Sequence, residues 1–210
     1  RLWQAAAHLA RGSRQLTSER LDQAFSLGAL DARDPVEMLQ LGHLMARIGR
    51  VNGAREVLRL LESRAEPGRT EHQWAEVLLR ASIALAERIP EDALAQLGSL
   101  RSLEPSVEFL EGYRLALRSD ARAMAMQLEL ARADAKELED RWFLLTPAQD
   151  EWLRSTGRVA RLSELAGDAP ASLAAYRRLL ERWKDGDRDL VELAQAQRAV
   201  ARLGNAVAVG

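Results

Sequence analysis

The sequence predicts an all-α chain built from antiparallel helical hairpins. Three observations lead there. Ala and Leu dominate, with Arg, Glu and Gln behind them, and these residues lose the least side-chain freedom in a helix. Strand formers are scarce, with three Ile and four Thr in 210 residues. Helix starts and turn residues recur at short intervals, and short connections make neighbouring helices antiparallel.

The elements follow in order. Asp34-Pro35-Val36-Glu37 combines an N-cap acceptor, Pro at the first helical position and an acid in the first turn. Thr146-Pro147-Ala148-Gln149 repeats that chemistry, and Thr70 with Gln73 fits the same box without Pro. Gly49, Gly53, Gly68, Gly157, Gly167 and Gly186 read as stops or tight turns. Between these marks fall roughly a dozen helices of about 11–18 residues. Met38, Leu41, Met45 and Ile48 lie at steps of three and four, as do Leu94, Leu97 and Leu100. Such stripes are core-facing sides of amphipathic helices.

Composition removes several function classes. Thirty basic residues against thirty-one acidic ones give a net charge of −1, which argues against a nucleic-acid binder. The absence of Cys excludes disulfides, Cys-ligated zinc, iron–sulfur clusters and thiol nucleophiles. No apolar run approaches the roughly 20 residues needed to span a bilayer. The front carries no signal-peptide pattern, and a start at Arg1 instead of Met reads as a piece of a longer or processed product. The cytoplasm is the expected compartment, with the periplasm as the alternative.

Internal periodicity turns a helical bundle into a helical array. Leu41-Gly42, Met45, Gly49, Ala54, Leu58 and Leu61 place small residues where two helices of a hairpin cross. A second copy runs from Trp74 through Ala81, Ala84, Ala93, Leu97 and Leu100 to Pro105. A third carries Ala160, Ser163, Gly167, Ser172, Tyr176 and Leu179. This pattern resembles the tetratricopeptide repeat, a 34-residue helix–turn–helix unit. The resemblance implies one array over 1–210, with repeats at about 2–32, 35–68, 74–105, 106–134 and 147–186 and a capping helix at 187–204. It further implies a right-handed superhelix of stacked hairpins, an α-solenoid. The stretch Tyr176-Arg177-Arg178-Leu179-Leu180-Glu181-Arg182-Trp183, with Ala194, Ala196, Ala199 and Leu203, is similar to the closing repeat of tetratricopeptide modules attached to bacterial serine/threonine kinases and transcriptional regulators.

Catalytic patterns are missing. His8, His43 and His72 are too far apart in sequence to form a helical metal pair. Carboxylate pairs such as Asp150 and Glu151 sit at helix starts, where they complement the dipole. Neither a nucleophile elbow nor a glycine-rich phosphate loop occurs. No enzyme activity, cofactor or metal is expected of this segment. Trp142 and Trp152 flank the irregular region 136–150 and are candidate anchors for a partner.

The resemblance also implies an inner groove lined by the first helix of each hairpin. Its positions here are Leu39, His43, Ala46 and Arg47, then Leu78, Ser82 and Leu85, then Arg154, Gly157, Arg161 and Glu164. The mixed surface suits a protein or peptide partner, with an acidic segment held by Arg47, Arg154 and Arg161, because guanidinium forks match carboxylates. The expected role is a non-catalytic protein–protein interaction scaffold within a larger bacterial signalling or regulatory protein. The alternatives are the sensor or scaffold segment of a kinase-type enzyme and an envelope or periplasmic assembly array.

Overall fold

A computed structural model describes residues 2–26, 34–64, 68–100, 105–141, 149–185 and 190–209. Among them lie eleven α-helices and one 3-10 helix, Pro105–Leu110. The helices are α1 (Leu2–Ala10), α2 (Arg14–Ser26), α3 (Pro35–Arg47), α4 (Val51–Glu62), α5 (Thr70–Ala86), α6 (Pro90–Gly98), α7 (Glu111–Met124), α8 (Leu128–Asp140), α9 (Gln149–Leu165), α10 (Ala169–Arg182) and α11 (Val191–Val209). Each of the first ten pairs with its partner as a hairpin, and α11 packs on α10. The first helices of successive hairpins also touch: α3 meets α5, α5 meets α7, and α7 meets α9.

One turn recurs in all five hairpins. Gly12, Gly49, Arg88, Met126 and Gly167 all have left-handed φ, between 59° and 83°. They stand 37, 39, 38 and 41 residues apart along the chain. After each, the next N–H donates to the carbonyl five residues back, as in Arg50 to Met45 (2.9 Å) and Gln127 to Arg122 (2.8 Å). This is a Schellman closure, which satisfies carbonyls that the helix end leaves open. The observed step is longer than the 34 residues of the pattern read from the sequence.

Local chemistry explains several boundaries. The Asp34 side chain accepts from the Glu37 N–H at 2.8 Å, and Pro35 opens α3. The cap of α5 falls one residue earlier than the Thr70 box places it. Arg69 occupies the cap without a side-chain cap bond, and Thr70 is already helical. Thr146-Pro147 and Gly186 lie outside the described residues. Gly53 and Gly157 were expected as stops, but both lie inside helices. A Cβ on Gly53 would stand 3.0 Å from the Met45 sulfur, so its bareness serves contact between α3 and α4. Gly42 does the same more severely, since its Cβ would stand 2.5 Å from Leu79 Cδ1 on α5.

Two main apolar clusters result. The larger joins α1 to α7 around residues such as Leu21, Met38, Leu41, Leu61, Leu79 and Leu110, all wholly or nearly wholly buried. The smaller joins α8 to α11 around Ala160, Leu173, Tyr176, Leu179 and Leu203. Burying each such Leu contributes roughly 1.5–3 kcal/mol before entropy is counted. The ends of the array also meet. Val191, at the start of α11, lies against Gly12 in the turn between α1 and α2. Among the described residues no helix is long and apolar enough to cross a membrane.

Candidate functional site

The inner faces of α3, α5 and α7 enclose a groove of about 700 Å³. His43, Ala46 and Arg47 come from α3, Ser82 and Leu85 from α5, and Leu117, Asp120 and Met124 from α7. The helical repeat puts these side chains on one face, since positions three, four and seven apart are neighbours. Arg14 of α2 and Arg88 of the α5–α6 turn stand on the rim. Among the described residues neither has a carboxylate in ion-pair reach. By contrast, Arg47, Arg50, Arg55 and Arg80 are all paired.

One end of this groove is filled by the chain itself. Glu151, in the first turn of α9, is wholly buried there. Its Oε1 accepts from Arg47 Nη1 at 3.0 Å and lies 3.1 Å from His43 Nε2. Its Oε2 accepts from Arg158 Nη2. Arg158 also forks onto Asp120, with Nε and Nη2 donating at 2.9 and 3.0 Å. On its other side, His43 Nδ1 lies 2.9 Å from Ser82 Oγ. The hydroxyl of Ser82 in turn donates to the Leu78 carbonyl at 2.9 Å. Tyr113 stacks edge-on against the imidazole, with ring centroids 5.4 Å apart.

Burial alone would push the Glu151 carboxyl up, but Arg158, Arg47 and the His43 hydrogen bond outweigh it. They hold this carboxyl well below the usual glutamate range. Burial would likewise lower Arg158, and Asp120 and Glu151 reverse that to keep it charged. Asp150 next door is displaced upward by burial and by the Glu151 charge, despite Arg47 at 3.6 Å. Burial, followed by the charges of Asp150 and Glu151, pushes the Tyr113 phenol well up. Each charged member of the network has an opposite charge in contact: Arg47 with Asp150 and Glu151, and Arg158 with Asp120 and Glu151. Among the described residues no group of His, Cys, Asp and Glu could hold a metal ion.

The residues singled out from the sequence are dispersed. His43, Arg47 and Ser82 come together in the groove, yet His43 and Ser82 are buried and Arg47 is engaged by the chain's own acids. Leu39 and Leu78 lie wholly inside the core. Arg154 pairs with Glu192 of α11 at 3.5 Å. Arg161 is exposed and has no carboxylate in ion-pair reach among the described residues. Trp152 packs within the fold: its Nε1 donates to the Glu139 carbonyl at 3.2 Å, and Arg182 lies over its ring at 5.2 Å. Trp142 lies outside the described residues.

Arg158 and Asp120 were not singled out from the sequence, and Glu151 was read only as a helix-start acid. No family profile, curated protein or solved structure matches the chain.

Proposed function

We propose that this chain is a non-catalytic protein–protein interaction scaffold, a tetratricopeptide-like array forming a right-handed superhelix within a larger bacterial signalling or regulatory protein. The left-handed hairpin turns at near-constant steps support the array.

A single observation carries the binding role: an open inner groove whose rim holds two arginines without carboxylate partners. Its floor is apolar at Ala46, Leu85 and Leu117, with Met124 adding an adaptable thioether. An acidic segment with interspersed apolar residues complements that surface. The arginines that meet it are Arg14 and Arg88, since Arg47 and Arg154 are taken by Asp150, Glu151 and Glu192.

The test is fluorescence anisotropy with a labelled peptide of mixed Glu and Leu. Arg14→Ala with Arg88→Ala should weaken binding at least about tenfold, the equivalent of 1.4 kcal/mol. Ala46→Trp should block the groove floor. Equal binding by wild type and both variants would remove the groove from the proposal.

A further inference from the structure

A depression of about 690 Å³ opens on the surface formed by α9, α10 and α11. Arg161, Glu164 and Leu165 line it from α9, Tyr176 from α10, and Arg198 and Arg202 from α11. Positions three and four apart are neighbours on a helix, which groups the three α9 residues on one side and sets Arg198 beside Arg202. None of these residues belongs to the groove between α3, α5 and α7.

The charges in this depression do not balance. Arg202 Nη2 donates to Glu164 Oε1 at 2.6 Å, which engages the one carboxylate among the described lining residues. Arg161 and Arg198 are both exposed, and neither has an ion-pair partner among the described residues. Three guanidiniums against one carboxylate leave an excess of two positive charges. Asp120 and Glu192 also act on Arg161, but Arg158 and Arg154 hold them. Lost hydration, and then the like charge of Arg158, lower the Arg161 guanidinium from its ordinary value, so this cation is undercompensated. Burial, then the Glu164 charge, raises the Tyr176 phenol against the opposing pull of Arg161 and Arg202. Its hydroxyl therefore stays protonated among these groups, and it has no hydrogen-bond partner among the described residues.

We propose that this depression binds a phosphorylated side chain of a partner peptide, with the phosphate held by Arg161, Arg198 and the Tyr176 hydroxyl. A phosphate monoester carries about −1.5 to −2 charge and three strong acceptor oxygens near neutral pH. That matches both the excess charge and the three open donor groups, whereas a lone carboxylate brings only about half the charge. Guanidinium forks also fit the phosphate oxygens bidentately. The open depression is far larger than a phosphate ion, and Leu165 lies 66% exposed on its wall. Covering that side chain rewards a ligand with an apolar residue next to the phosphate, which favours a peptide over the free anion. The site is separate from the groove of the proposed function, so either can fail while the other stands.

The experiment is fluorescence anisotropy of the full chain with a labelled peptide carrying one phosphoserine next to Leu. The controls are the same peptide with Ser or Glu in its place, and inorganic phosphate as competitor. The phosphopeptide should bind at least about tenfold tighter than either control peptide. Arg161→Gln with Arg198→Gln should erase that preference without moving the melting temperature, since neither side chain has an ion pair to lose. Tyr176→Phe, which keeps the ring, should weaken binding about tenfold. Gln195→Glu adds a carboxylate to the wall and removes no contact, and it should weaken binding as well. Arg14→Ala with Arg88→Ala should leave the preference for phosphoserine unchanged. Inorganic phosphate should compete only at concentrations far above the peptide's Kd. Equal binding of the three peptides, unchanged binding in any of the three depression variants, loss of the preference in the Arg14 and Arg88 variant, or displacement by inorganic phosphate at the peptide's own Kd would overturn the proposal.

Discussion

Glu151 Oε1 stands 3.1 Å from His43 Nε2, although 108 residues separate the two in the chain. This contact joins α9 of the fifth hairpin to α3 of the second. Arg47 and Arg158 complete the cradle around the same carboxylate.

Replacing Glu151 by Gln should therefore be severe. The substitution keeps the shape but leaves Arg158 and Arg47 with less compensation in a buried site. Removing one member of a buried ion cluster costs about 3–5 kcal/mol. A urea unfolding curve should show the midpoint fall with little change in slope.

The same carboxylate predicts an acid limb. Its folded-state value lies well below that of the unfolded chain, about 4.3. In the window between them the unfolded chain binds more protons, so stability falls as the pH is lowered through it. Asp150, displaced upward, works in the opposite sense and makes the limb shallower. Urea midpoints measured from about pH 6 to about pH 3 should fall less steeply in Glu151→Gln than in wild type.

Gly42→Ala should destabilise although alanine is the better helix former. The new methyl would meet the buried Leu79 side chain at 2.5 Å. Overpacking of this kind costs about 1–3 kcal/mol. Adding Leu79→Ala should make the combined loss smaller than the sum of the two singles, and a double-mutant cycle reads that coupling.

Met126→Gly should stabilise. Met126 is 73% exposed, so little packing is lost, and it holds φ at 59° in the α7–α8 turn. A left-handed non-glycine residue costs roughly 1–2 kcal/mol, of which the added unfolded-state freedom of glycine returns a part. A gain of about 0.5–1 kcal/mol in thermal or urea unfolding is expected.

Much of this architecture was legible in the sequence because it is locally encoded. Ala and Leu spacing marks the helices and Asp34 marks a cap, whereas Gly42, read as a crossing within its own hairpin, makes its close approach to Leu79 of α5. Local signals fail in three further places. Arg88 and Met126 take the turn conformation that Gly49 and Gly167 take, and a non-glycine residue gives no sign of it. Gly53 and Gly157 look like breakers, yet both lie within helices, and a Cβ on Gly53 would crowd the Met45 sulfur. Glu151 reads as an ordinary helix-start acid, because its partners lie on α3 and further along α9. The groove was therefore foreseeable as a face, and its occupancy by the chain's own carboxylate was not.

The long-range tie also has a consequence for biosynthesis. His43 leaves the ribosome 108 residues before Glu151. At roughly 5–20 residues per second, the nascent second hairpin waits roughly 5–20 s for its acid. During translation its histidine and arginine face water, and any carboxylate-bearing competitor reaches them first.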